Sequence, residues 1–144
     1  MTTTQGSGDF SMNQSRSISR SGATPYHILI NQEENLLRVK LSGHWAYRDS
    51  KAFWAMVVRE ALSRSLQKAL VMFQLSEPLT LKQACELAGS AKSTFLEHDI
   101  YMAVVDSNRR SFPNAAFWQL ETNGAFSSAL FNQLSDAEQW LDNH

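Results

Sequence analysis

This sequence lacks most of what marks a chain for a specialised task. One cysteine among 144 residues excludes an internal disulfide framework and any cysteine-cluster metal site. Neither charge sign is in excess. The formal net charge is −1, so no strong field draws the chain to nucleic acid or to an anionic membrane. The only local basic run is Arg109-Arg110, too short to track phosphates. No apolar stretch reaches the ~18 residues that a membrane span requires. The opening MTTTQGSGDF has no basic start followed by an apolar region, so no signal peptide is expected. Together these absences point to a soluble, cytoplasmic protein.

Catalytic and metal motifs are also missing. His27, His44, His98 and His144 form no His-x₃-His or His-Glu-x-x-His pattern, so no metal is expected. His98 beside Asp99 reads as a solvated loop pair. There is no Gly-x-Ser-x-Gly elbow and no glycine-rich phosphate loop, so neither an enzyme nor a cofactor is expected. Cys85 sits on the apolar side of a helical pattern with Lys82 about one turn before it. Buried thiols of this kind are usually inert. Four tryptophans and eight phenylalanines invite base stacking, but no basic face accompanies them. Trp54, Phe117 and Trp140 fall on helical apolar stripes and are expected in the core. Trp45 and Trp118 lie at the margins of their patterns and are the candidates for an exposed aromatic.

What is present is a regular alternation of strand and helix signals. Residues 1–24 are rich in Ser, Thr, Gly, Gln and Asn, too polar to offset their ordering entropy, and are read as a flexible tail. Its run 16–21 reads as solvated tail, in preference to a place for modification or partner docking. Residues 25–144 are read as a single domain. Strands are expected at 26–30 and 36–41, joined by a polar loop of hairpin length. A helix over 49–64 carries Phe53, Met56, Val57, Ala61 and Leu62 at helical spacing, with Asp49 at its N-terminus. The run 69–75 is almost continuously apolar, as in a parallel strand covered on both faces. Thr80-Leu81-Lys82-Gln83 matches a capping box and opens a helix with Leu81, Ala84, Cys85 and Ala88 facing inward, which either ends at Gly89 or frays onward toward Ser93. A strand over 100–105 follows. Then comes a helix that begins near Pro113, buries Ala116, Phe117 and Leu120, and stops at Asn123-Gly124. The last strand spans 129–134, and Ser135-Asp136-Ala137-Glu138 reads as a second capping box. Strands alternating with helices imply parallel pairing through right-handed crossovers.

The opening hairpin, the stretch Leu41-Ser42-Gly43-His44-Trp45 running into a helix, and the closing stretch from Leu130 to Leu141 carry a resemblance. Over about residues 26–142 the chain resembles the SpoIIAA-like group of the STAS superfamily, the fold of anti-sigma-factor antagonists. The resemblance implies a mixed five-stranded sheet with about four helices. It also implies a non-enzymatic regulatory or protein-interaction module in a bacterial cytoplasm, with a protein as partner. In relatives that act as switches, a kinase phosphorylates a serine or threonine in an Asp-Ser-Ser-Gly-like turn after the central strand. The matching turn here is Ser76-Glu77-Pro78-Leu79-Thr80. Ser76 is the nearest hydroxyl and Thr80 the second. The family's acid and glycine are absent. Phosphate on Ser76 would be repelled by Glu77 and attracted by the helix N-terminus. The wider superfamily is also similar to CRAL-TRIO lipid-transfer domains, which gives the alternative of a small apolar ligand. That alternative requires an apolar cavity of at least ~300 Å³, lined by side chains such as Met102 and Phe131.

In an open parallel sheet, ligands favour the carboxyl ends of the strands. That edge collects His44, Trp45, Ser76, Glu77, Asp106, Ser107, Asn108, Arg109 and Ser135 as binding candidates. A further expectation concerns the sheet's other face. If each strand follows its predecessor through right-handed crossovers, the connecting helices share one face. Arg38, Lys40, Met72, Gln74, Tyr101 and Ala103 then line the other. That set is too apolar for water and too charged for a core. Partial exposure is expected there, or cover by the tail, another helix or a second subunit in a homodimer.

Overall fold

The computed structural model describes residues 15–19, 26–45, 49–106, 112, 115–123 and 126–144. Six strands form one sheet in the order β1-β2-β3-β4-β5-β6. They are β1 (Ser15–Ser19), β2 (Tyr26–Glu33), β3 (Leu36–Gly43), β4 (Lys68–Leu75), β5 (Tyr101–Asp106) and β6 (Ser128–Phe131). The first two pairings are antiparallel and the last three parallel. Four helices accompany them: α1 (Ser50–Ser63), α2 (Leu81–Phe95), α3 (Ala115–Thr122) and α4 (Leu134–Asp142).

The five expected strands are present, and a sixth is added at the edge. β1 comes from the stretch read as tail, and its backbone pairs with β2 from Ser15 opposite Asn31 to Ser19 opposite His27. Backbone pairing satisfies N–H and C=O groups whatever the composition, so a serine-rich strand carries little compositional signal. The rest of residues 1–24, read as flexible, lies outside the described residues, as do Pro113 and Gly124.

Local signals explain most element ends. Thr80 caps α2 as a capping box: its hydroxyl accepts from the Gln83 N–H at 3.1 Å, and the Gln83 side chain accepts from the Thr80 N–H at 2.9 Å. α1 ends in a Schellman arrangement, with the Leu66 N–H donating to the Ala61 carbonyl at 2.8 Å and the Ser65 N–H to the Leu62 carbonyl at 3.1 Å. Ser65 takes the left-handed conformation there, φ 57°. Asn123, φ 56°, does the same after α3.

Two packed clusters flank the sheet. The larger lies on one face and joins α1, α2 and α3 to Ile28, Ile30, Leu37, Val39, Leu41, Val71, Phe73 and Val104. Trp54 is fully buried at its centre. Its ring meets Phe53, Phe73, Phe95 and Trp118 edge-on, and its Nε1–H donates to the Leu87 carbonyl at 2.8 Å. That bond ties α1 to α2 and satisfies a donor that would otherwise be costly to bury. The smaller cluster lies on the opposite face, where α4 sets Ala137 and Leu141 on Leu70, Ala103 and Val105.

Several expected helix faces are corrected. α2 does not stop at Gly89, because the burial of Leu87, Ala88, Ala91 and Phe95 carries the helix on. Leu81, expected inward, is exposed, and Cys85 is half-buried. On α1, Leu62 is exposed. On α3 the buried residues are Trp118 and Thr122, while Ala116 is exposed and Leu120 is 75% exposed. Trp118, a candidate for exposure, is fully buried, because its Nε1–H reaches the Ser128 hydroxyl at 2.8 Å. The Thr122 hydroxyl donates back to the Trp118 carbonyl at 2.8 Å. A buried stripe that includes a threonine does not read as apolar. The strand β6 ends earlier than expected and α4 begins earlier, with Gln133 rather than Ser135 at the N-cap and no side-chain cap bond. Leu134 is thereby free to pack on the smaller cluster.

Three substitutions, measured by chemical denaturation, check this packing. Trp118→Ala is expected to cost about 3–5 kcal/mol in chemical denaturation, whereas Leu120→Ser stays within about 0.5 kcal/mol of the parent. Thr80→Ala is expected to cost about 1 kcal/mol, as loss of a helix cap does.

Candidate functional site

The carboxyl edge of the parallel strands is assembled by ladder pairing. The Ser76 N–H donates to the Gly43 carbonyl at 2.9 Å, which extends the β3–β4 pairing by one bond and sets the two following turns side by side. Gly43 carries φ 95°, a conformation that suits glycine and turns the chain out of β3 toward His44. Across this junction His44 Nδ1 lies 3.9 Å from Glu77 Oε1, with both side chains more than half exposed. Ser76 and Thr80 are exposed beside them. The Thr80 hydroxyl is engaged as the helix cap, which leaves Ser76 as the turn's uncommitted hydroxyl by position.

Trp45 belongs to this edge but is not the exposed aromatic its sequence position suggests. It is half-buried, with its ring edge-on to Tyr26 at 5.1 Å and Phe53 at 5.5 Å. Its Nε1–H is buried and without a hydrogen-bond partner among the described residues, as is Asp49 Oδ2. Asp49 occupies the N-cap position of α1 without making a side-chain cap bond. One donor and one acceptor with unmet demand thus stand at the entrance to α1, where most buried polar atoms would be satisfied.

Asp106 does not share the rim. It is the last residue of β5, paired opposite Phe73, two residues before the end of β4, is buried, and accepts from the Phe112 N–H at 3.4 Å. Its role is to hold the chain after β5. Ser107, Asn108 and Arg109 lie outside the described residues. Ser135 is exposed in the first turn of α4. The structure therefore brings His44, Ser76 and Glu77 together, packs Trp45 against Tyr26 and Phe53, and buries Asp106.

Two charged arrangements were not legible in the sequence. On the far face, Arg38 of β3 hydrogen-bonds Glu33 at 2.8 Å through Nε and Glu138 of α4 through its Nη2. Partial burial works against the Arg38 charge, but the bonds to Glu138 and Glu33 prevail and raise its pKa. The pairing joins residues 100 positions apart, a separation that no local pattern reveals. The second is Cys85, in a surface cleft of about 340 Å³ with Lys51, Glu86, Gly89, Ser90 and Ser93. Desolvation pushes its thiol pKa up, and the Glu121 carboxylate, by charge and hydrogen bond, adds to this, with Glu86 a lesser contributor.

Among the described residues no three His, Cys, Asp or Glu side chains gather as a metal ion requires. No helix of the described residues is long and apolar enough to cross a membrane. Compared with known protein families and with curated proteins, the chain matches none.

The cysteine environment has a direct chemical readout. Because the thiolate is the nucleophile, Cys85 is expected to react with a disulfide reagent more slowly at neutral pH than a free cysteine does. Glu121→Gln should lower its pKa and speed the reaction, and a pH–rate profile of the two proteins measures both.

Proposed function

We propose that this chain is a non-enzymatic protein-interaction module of the STAS-like, SpoIIAA-like kind, which docks a partner protein against the carboxyl edge of its sheet. The observation that carries this reading is a closed core beneath an exposed, charged edge. Met102 is fully buried within the larger cluster, and Phe131 packs against Trp140 on the other face. These two residues line none of the described clefts, whose walls are surface residues such as Glu34, Ser93 and Leu62. Above that core, His44 and Glu77 present opposite charge propensities on two neighbouring turns. Exposed, charged groups of this sort steer encounter and choose partners more than they add affinity.

The sheet order supports the resemblance on which the reading rests. An antiparallel hairpin leads into parallel strands in sequential order, and Ser76 follows the strand at the position where switching relatives carry their hydroxyl. The turn departs from theirs at Glu77-Pro78, so a phosphate on Ser76 would sit between a repelling carboxylate and an attracting helix N-terminus. Docking at this edge does not depend on that phosphate. The cytoplasm is the compartment this reading assigns.

An affinity experiment tests it. The full chain is used as bait in an extract of its native cell, beside a His44→Glu/Glu77→Lys variant in which both edge charges are replaced. A specific protein retained by the parent and reduced about tenfold or more by the variant is the expected result, since like-charge juxtaposition at an interface is strongly unfavourable. Equal recovery by both forms would contradict docking at this edge.

A further inference from the structure

Among the described residues, the face opposite α1–α3 is only half covered. α4 packs against β4, β5 and β6, which buries Leu70, Ala103 and Val105. Over β1–β3 none of the described helices lies on that face. Leu29 of β2 is 40% exposed there, and the half-buried Met72 of the adjoining β4, which packs at the margin of the α4 cluster, joins Leu29, Asn31, Arg38 and Lys40 in lining a shallow cleft of about 130 Å³ at the strip's border. Three strands at ~4.8 Å spacing are about 10 Å across, close to the diameter of one helix with its side chains. The uncovered strip is therefore one helix wide.

α4 itself shows what this face accepts. It lays Ala137 and Leu141, four residues apart, on the strands, and it places the neighbouring Glu138 on Arg38. Arg38 and Lys40 are successive residues on the same face of β3. Arg38 is taken by Glu33 and Glu138, whereas the half-buried Lys40 makes no ion pair among the described residues. We propose that the strip over β1–β3 docks an amphipathic helix of a partner protein, with small or branched apolar residues on Leu29 and Met72 and a carboxylate on Lys40. This is the helix-in-groove mode of recognition, with α4 as the adjoining wall. A second copy of this chain fits less well, because a two-fold contact through the same patch would bring Lys40 toward its own counterpart.

The inference rests on the reading of the chain as a protein-interaction module, and it adds a second surface with a stated partner chemistry. The test uses the full chain, isotope-labelled, with two stapled helical peptides. Both carry the same apolar stripe, one flanked by glutamates and the other by lysines. The expected result is that the glutamate peptide shifts the backbone amide signals of Leu29, Asn31, Lys40 and Met72, and that the lysine peptide does not. Lys40→Glu should reverse that preference, and Lys40→Gln, a milder change that keeps the side chain's stem, should weaken glutamate-peptide binding several-fold.

Four outcomes would overturn the proposal. They are no shift up to millimolar peptide, shifts confined to α1–α3, peptide-free shifts of these amides with protein concentration, which would assign the strip to a second copy, and movement of the same amides on Phe10→Ser/Met12→Ser, which replaces two of the large apolar residues of the polar stretch 1–24 and would assign the strip to the chain's own N-terminal residues. If the peptide fails while the edge bait still recovers its protein, this surface is wrong and the general reading stands. If both fail, the general reading falls.

Discussion

The chirality of the parallel connections governs this molecule. Three successive crossovers join β3 to β4, β4 to β5 and β5 to β6, each pairing neighbours in sequential order. When every such connection has the same right hand, the three helices must fall on one face of the sheet. α1, α2 and α3 do so, and they share one cluster. α4 follows β6 and leads into no other strand of this six-stranded sheet, so no crossover rule binds it. It folds onto the opposite face, where the parallel strands would otherwise present Leu70, Ala103 and Val105 to water. One helix cannot cover six strands, and the strip left over is a direct consequence of the topology.

The crowded face is held in register by aromatic side chains with polar tips. Trp54 and Trp118 are both fully buried, and each finds a hydrogen-bond acceptor, the Leu87 carbonyl and the Ser128 hydroxyl. These two bonds are directional where apolar packing is not. They fix α1 against α2 and α3 against β6, and so fix where the strands' carboxyl ends lie. The geometry of the candidate edge, with Ser76 bonded to Gly43 and His44 near Glu77, depends on that placement.

Period and capping made most of the fold legible. The alternation Leu37, Val39, Leu41 in β3 and the apolar run of β4 were readable because burial on one or both faces leaves a direct trace in residue type. Thr80 was readable because its cap is local. The failures have equally physical causes. Trp118 was misplaced because its buried neighbour on the helix is a threonine satisfied by the Trp118 carbonyl. Ser135 reads as a cap because the local pattern does not reveal that Leu134 packs on the smaller cluster. β1 was hidden because a serine-rich edge strand is held by backbone pairing. At the candidate edge, proximity of His44, Ser76 and Glu77 followed from strand order, whereas the burial of Asp106 required the register of β5 against β4.

Asymmetric cover of a single sheet is thus the central structural claim, and both candidate docking surfaces follow from it. The most direct measurement is paramagnetic attenuation by a soluble, uncharged relaxation agent, read at the side-chain methyls of one labelled sample. The account predicts strong attenuation at Leu29 and protection at Leu70, Ala103 and Val105 of the same face. Equal protection of all four would contradict it.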